Sequence, residues 1–379
     1  MIETMMKFIK SLFKRSLFWR LFRPMITEIR IIRAERKKCY SYAKELFKSI
    51  NNKGSFPDYC LSLKKHRVTF DEYMYKFEFW KLNEAQRDEF ISCSEMQCIY
   101  RKTVQPEVKS VLWNKVLFLN KFSAFVQRRW IEVGKSDYET FREMLLLSDC
   151  VAKPIEGWRG QGVKMVNRIN EEEDVRGLFT ECVEHNFLLE ERLHACKEIE
   201  EFHPQSLNTI RVVTISNPER YVIFGAILRM GTGDSIIDNT HNGGVFASID
   251  VNTGIIETDG LDSKGNTYVV HPDTGKTIKG FKIPYWDKVV ETCGQATKVL
   301  PKLIFAGWDV VVMEGGRIAL IEGNHGPDFD GGMQAPKKIG VKQRLRKDVM
   351  DLQGFDPLEF IPIWSRTLNG YRYNEMIKG

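Results

Sequence analysis

The period of the hydrophobic positions changes several times along the chain, and each change marks an element. Between Met1 and Arg23 the apolar residues Met5, Phe8, Ile9, Leu12, Phe13 and Trp19 share one helical face, with Lys7, Lys10 and Lys14 on the other. Arg20 lands near the apolar face and blurs the stripe, and Pro24 ends or kinks the helix. From Ile26 to about Val108 the spacing stays at three and four, as in EIRIIRAERKKCYSYAKELFKSI, and predicts mostly helix. Asn51-Asn52-Lys53-Gly54 interrupts it, and the aromatic-rich FDEYMYKFEFWKLNEAQRDEFI predicts a core stripe. Beyond residue 150 short β-branched runs take over. Val151 to Lys153, Val163 to Val166, Phe187 to Leu193, RVVTI and FGAILRM read as strands.

The densest pattern is GWDVVVMEGGRIALIEGNHGPDFDGGMQ, Gly307 to Gln334. Two apolar runs flank Gly315-Gly316 and predict a β-hairpin. A hairpin brings its open ends together, so Asp309 is expected beside Glu322 and Asn324. The last two are two residues apart and point to one face of a strand. Two carboxylates and an amide oxygen make an oxygen-only site that suits Mg²⁺; an idle, solvated acidic hairpin end is the alternative. The loop His325-Gly326-Pro327-Asp328 follows directly and is expected to line the reacting end.

A second motif lies in DCVAKPIEGWRGQGVKMV, Asp149 to Val166. Between two strands stand Gly157, Gly160 and Gly162, which let backbone N–H groups approach phosphate oxygens. Lys153 adds a point charge for the same phosphates. No Gly-Lys-Ser/Thr follows the loop, and a strand rather than a helix comes next, so it is neither of the common helix-capped phosphate loops.

Arg211 and Arg229 each sit on an otherwise apolar strand, where a charge is paired or faces a cleft. Pairing with Asp309 or Glu322 is one reading; binding a γ-phosphate or a substrate carboxylate is the other. The stretch SIIDNTHNGGVFASID holds Asp238, Asn239, His241 and Asn242 before a flexible Gly-Gly pair. No His-x-His or Cys/His cluster suggests zinc.

Composition changes the picture in two places. Net charge is +6, yet residues 1–38 alone carry eleven Lys/Arg and three Glu, so the remainder carries about −2. The basic amphipathic segment is expected either at an anionic membrane surface, through residues 1–23, or packed on protein. No nucleic-acid partner is expected of the body. Eight cysteines are scattered without a CxxC pair, which predicts reduced thiols and a cytoplasmic location, peripheral to the membrane if the first helix binds it.

The Asp, hairpin, Glu-x-Asn order resembles the metal end of the ATP-grasp fold. HPDTGKTIKGFKIPYWDKVVE, followed by GWDVVV and IEGN, resembles the sugar-transfer-associated branch of that superfamily. The resemblance covers roughly residues 117–334. It implies an α+β fold of two α+β lobes with ATP between them, preceded by a helical cap. The expected division is a basic amphipathic helix at 1–25, the cap at 26–109, a smaller lobe at 110–188, a larger lobe at 189–350 with the metal site, and a tail at 351–379. It also implies that Lys121 and Lys153 contact the nucleotide. The strand joining the lobes is expected to read the adenine edge; its register is open by a residue, so Glu190, Glu191 and Leu193 are all named. Asp238, Asn239, His241 and His325 are expected around the acceptor, with Arg211 and Arg229 as the catalytic cations. The implied chemistry is carboxylate–amine ligation through an acyl-phosphate, with an amino acid or amine joined to a sugar acid for a surface polysaccharide. A sugar kinase of the same pathway is the rival, with Asp238 or His241 as base.

Overall fold

The computed structural model describes residues 54–156, 162–236, 238 and 243–361, together with positions 41, 44, 45 and 47. The basic amphipathic segment and the last eighteen residues lie outside them. Helices come first. α1 (Phe56–His66) starts on the Ser55 cap, and α2 (Glu84–Asp88) and α3 (Cys93–Thr103) each start on a full capping box, Asn83 with Gln86 and Ser92 with Glu95. α4 (Pro106–Trp113), α5 (Lys115–Lys121) and α6 (Ser123–Val126) follow. The aromatic stretch after α1 departs from the regular helix. It forms a short π-turn at Glu72–Lys76 and a 3₁₀ turn at Phe79–Lys81, with Glu78 left-handed between them at φ 54°. Its aromatics occur on every side, so no single stripe can be buried by a straight helix. Tyr73, Phe77, Phe79 and Phe90 instead form a compact cluster with Tyr59 and Phe70.

Two antiparallel sheets make up the rest. The smaller has strand order β1-β4-β2-β3, from β1 (Trp130–Glu132), β2 (Cys150–Pro154), β3 (Lys164–Val166) and β4 (Phe187–Glu191). α7 (Tyr138–Leu147) and α8 (Arg176–Glu184) cover it, with Phe141, Leu145, Cys182 and Leu189 in its core. The larger has order β11-β10-β5-β6-β7-β8-β9. Its central members are β5 (Ile210–Ser216), β6 (Tyr221–Met230) and β7 (Val245–Ile249). Two short strands, β8 (Gly260–Leu261) and β9 (Thr267–Tyr268), extend it on one side, and the hairpin of β10 (Phe305–Val312) and β11 (Ile318–Asn324) closes the other.

Both faces of the larger sheet are covered, which is why every residue of β10 is buried. α4, α5, α6, the short α9 (Lys197–Glu200) and, further along the chain, α10 (Trp286–Val299) pack in the core built on Val310, Val312 and Trp308. α3, the Phe329 loop and α11 (Lys342–Gln353) share the other core, built on Val213, Ile215 and Phe305. The basic run before residue 351 is thus an amphipathic helix that buries Leu345, Val349 and Leu352. Phe355, Leu358 and Phe360 pack beside it. The described cysteines are all free thiols.

One side chain fastens the helical region to the sheets. Gln334, fully buried, accepts from the Ile91 N–H at 3.0 Å and donates to the Ile91 carbonyl at 2.8 Å. It also accepts from Val341 N–H at 3.2 Å. Gln334→Ala leaves both Ile91 groups buried and unpaired, so stability should fall by about 2–4 kcal/mol. Urea unfolding measures it, and a loss below about 0.5 kcal/mol, the range of surface substitutions, would show that this contact does not fasten the two parts.

Candidate functional site

The hairpin turns on Gly315 and Gly316, both at φ 74°, a left-handed geometry that side chains resist. Its register places Asp309 opposite Glu322 on one side and opposite Arg211 of β5 on the other. The register shifts between Asp309 and Val310, where Ile321 is the extra residue of a bulge that bends β11 beside Glu322. Arg211 forms a two-pronged ion pair with Asp309, and the Arg229 Nη2 lies 2.9 Å from Asp309 Oδ2. Burial works against ionisation of Asp309, but Arg211 and then Arg229 outweigh it and hold the carboxyl well below its ordinary range. Glu322 is pushed upward by desolvation within the protein and then by Asp309, although its surface is open to the water of the cleft. Asn324 Nδ2 donates to Glu322 Oε1 at 3.3 Å, leaving its carbonyl oxygen to face a cation. The structure therefore brings the three expected metal ligands together, and it joins both arginines to the same aspartate.

On the nucleotide side, Lys153 of β2 and Glu190 of β4 lie 2.8 Å apart. Arg128, which enters β1, reaches the same Glu190 Oε2 at 2.7 Å. Burial opposes the charge on Glu190, yet Arg128 and Lys153 hold it at about 2. Arg128 also donates to the carbonyls of Leu320 at 2.7 Å and Ile321 at 3.2 Å on β11, so one guanidinium joins the two sheets. Glu191 pairs instead with Arg129 at the surface, and its N–H donates to the Arg129 carbonyl. Glu191, Leu193 and Glu200 line the far end of the same cleft. Of the glycines expected to form a phosphate loop, Gly162 stands at φ 73°, and Gly157 and Gly160 lie outside the described residues.

Lys121 is exposed at the end of α5 and is not among the residues lining the cleft. Lys115, at the opposite end of that helix, does line it. Its pKa is lowered, first by burial and then by the charge of Lys153, and Glu322 acts on it in the other sense. Asn114 caps α5 through the Leu117 N–H, which puts Lys115 at the first helical position.

Asp238 is buried at the cleft wall and accepts from the Thr209 N–H, beside the Arg229–Thr209 contact at 3.1 Å. Asn239 and His241 lie outside the described residues. His325 lines the cleft; burial and then Lys109 lower its pKa, and its Nδ1 is buried with no hydrogen-bond partner. Asp328, of the loop expected there, lines the cleft too, and other lining residues escaped the sequence reading: Arg128 and Thr209, and from the N-terminal helices Gln97, Tyr100, Lys109 and Trp113. The cleft holds about 1050 Å³, room for a nucleotide and a second molecule.

Glu190 offers a test by pH. Its folded pKa of about 2 lies below the ordinary 4.5, so its stabilising contribution is fully present above 4.5 and is lost as pH falls through about 2. Glu190→Gln leaves Arg128 and Lys153 without their counter-charge, at a cost of about 3–5 kcal/mol near neutrality. Urea unfolding of both proteins at pH 7 and pH 3 should show the gap narrowing at the lower pH. A gap that stays constant would mean that the ion pairs contribute nothing.

The sequence model described as sugar-transfer associated ATP-grasp matches residues 94–349, more than half of the chain. No curated protein sequence matches. Among solved structures, the ATP-grasp ligase PsnB, complexed with minimal precursor, Mg and ADP, is 13% identical with a TM-score of 0.41, over 67% of this chain and 62% of that one. The N5-carboxyaminoimidazole synthetase from Staphylococcus aureus, complexed with ADP, is 12% identical with a TM-score of 0.38, over 66% and 59%. The D-alanine-D-alanine ligase from Coxiella burnetii is 13% identical with a TM-score of 0.38, over 67% and 59%. The chain therefore spans about three fifths of the length of each. With the two α+β lobes and their shared cleft, the match assigns this chain to the sugar-transfer associated ATP-grasp family.

Proposed function

We propose that the protein is an ATP-dependent carboxylate–amine ligase that activates a sugar acid as an acyl-phosphate and joins it to an amino acid or amine, in the assembly of a surface polysaccharide. The observation that carries this reading is the single cleft shared by Lys115, Lys153 and the Asp309–Glu322–Asn324 group. Two cations at one end and a hard oxygen set at the other match a triphosphate in size and charge. Mg²⁺, held by Asp309, Glu322 and Asn324, would neutralise phosphate charge. Lys115 and Lys153 hold the phosphates in place, and Glu190 pairs with Lys153. Leu193 and Glu191 border the adenine end, and Glu200 stands within reach of the ribose side. Arg211 and Arg229 orient Asp309 and keep it ionised. The kinase reading needs a general base. Asp238 is already engaged by the Thr209 N–H, which favours the ligase.

Incubation with Mg-ATP, candidate uronic acids or amino acids, and hydroxylamine should yield a hydroxamate with ADP and free phosphate. Glu322→Ala should abolish the product while the protein remains folded. In the same assay Lys115→Ala should raise the ATP requirement about tenfold or more, the scale of a lost charge-assisted bond, and Lys121→Ala should leave it unchanged. A stable phosphorylated sugar with neither hydroxamate nor phosphate would make the protein a kinase.

We further propose that residues 1–23 hold the protein at an anionic membrane surface, on the strength of the +8 carried by residues 1–38 opposite an aromatic face. Among the described residues no helix is long and apolar enough to cross a membrane. Deleting residues 1–23 should release the protein from vesicles rich in phosphatidylserine without altering ATP binding. Equal vesicle binding by both forms, or none by either, would assign the segment to packing.

A further inference from the structure

The arginines that sequence offers to an acceptor carboxylate are both turned to Asp309. A carboxylate entering the cleft therefore needs another cation, and α4 presents one. Lys109, Leu112 and Trp113 are three and four residues apart, share one face of the helix, and all line the cleft. Leu112 locates that face. A Cβ on Gly323, between Glu322 and Asn324, would meet Leu112 Cδ2 at 3.1 Å. α4 therefore lies against the end of β11 that carries Glu322 and Asn324, on the face opposite their side chains, and Lys109 and Trp113 line the cleft from there.

Three observations make this wall a binding surface. Lys109 is exposed, and among the described residues no carboxylate pairs with it. His325, the residue after Asn324, lines the same cleft, and its ring Nδ1 has no hydrogen-bond partner among the described residues. Trp113 keeps 40% of its surface exposed beside them, an apolar plate onto which the C–H face of a sugar ring can settle. Gln97, from α3, lines the same cleft and offers an amide to hydroxyls. The wall is held in place, since Tyr100 donates to the Pro327 carbonyl at 2.6 Å and ties α3 to the loop after His325.

We propose that Lys109 and His325 receive the carboxylate of a sugar acid and that Trp113 carries its ring, so that the N-terminal helices build the acceptor subsite. The subsite deepens the ligase reading, which supplies the fate of the carboxylate; its binding is independent of that fate.

The test is calorimetry on the full chain saturated with Mg-AMPPNP, with D-glucuronate as probe and D-glucose as the uncharged control. Wild-type protein should bind glucuronate at least tenfold more tightly than glucose. Lys109→Ala and Trp113→Ala should each weaken glucuronate at least tenfold, with the affinity for Mg-AMPPNP kept within twofold. Absence of glucuronate binding, equal binding of glucose, or unchanged affinity in Lys109→Ala would overturn the subsite. So would a loss of nucleotide affinity in Lys109→Ala, which would assign the lysine to the triphosphate. Glucuronate binding that depends on Lys109, with no hydroxamate formed, would keep the subsite and remove the ligase reading. Hydroxamate from another carboxylic acid, with no glucuronate binding, would do the reverse.

Discussion

The site depends on one buried charge. Asp309 sits in a strand whose eight residues are all buried, where an unpaired carboxylate is untenable. Arg211 lies opposite it on β5 and Arg229 reaches it from β6, so the charge is matched before any ligand arrives. This pairing has two consequences. It keeps Asp309 ionised, and it sets that charge beside Glu322, whose carboxyl is raised first by desolvation and then by Asp309. The arginines earn little stability by burial, since desolvation offsets much of their attraction. Their effect is positional: they fix where the aspartate points.

A second buried triad, Arg128–Glu190–Lys153, does for the lobes what the first does for the hairpin. Glu190 stands on the smaller sheet, and Arg128 carries the connection to the β11 carbonyls of the larger one. Lys153 is therefore placed relative to the metal ligands by one continuous set of polar contacts. The cleft between the lobes is lined from both sheets and from the N-terminal helices, which pack on β11 through Leu112 and Phe118. The helical region is consequently a wall of the site as well as a cover.

Sequence alone determined the hairpin and the meeting of three of its polar residues, because both are local. Strand alternation and a glycine turn are enough to bring Asp309, Glu322 and Asn324 together, and the Val151-Ala152-Lys153 strand end is equally local. The same logic named Arg211 and Arg229 and left their partner open between an acidic neighbour and a ligand. Only the register of β5 against β10 decided for Asp309, since pairing between strands 98 residues apart leaves no mark in either one. Both Lys115 and Lys121 suit a helix end, and which one lines the cleft is set by how α5 packs on the larger sheet. Glu190 and Glu191 were inseparable as letters, and one became buried with Arg128 while the other met Arg129 at the surface, because adjacent strand residues face opposite ways. The contribution of Lys109 and Trp113 was invisible, because a basic and an aromatic residue on a short helix look like any solvated face until another element is packed across from them.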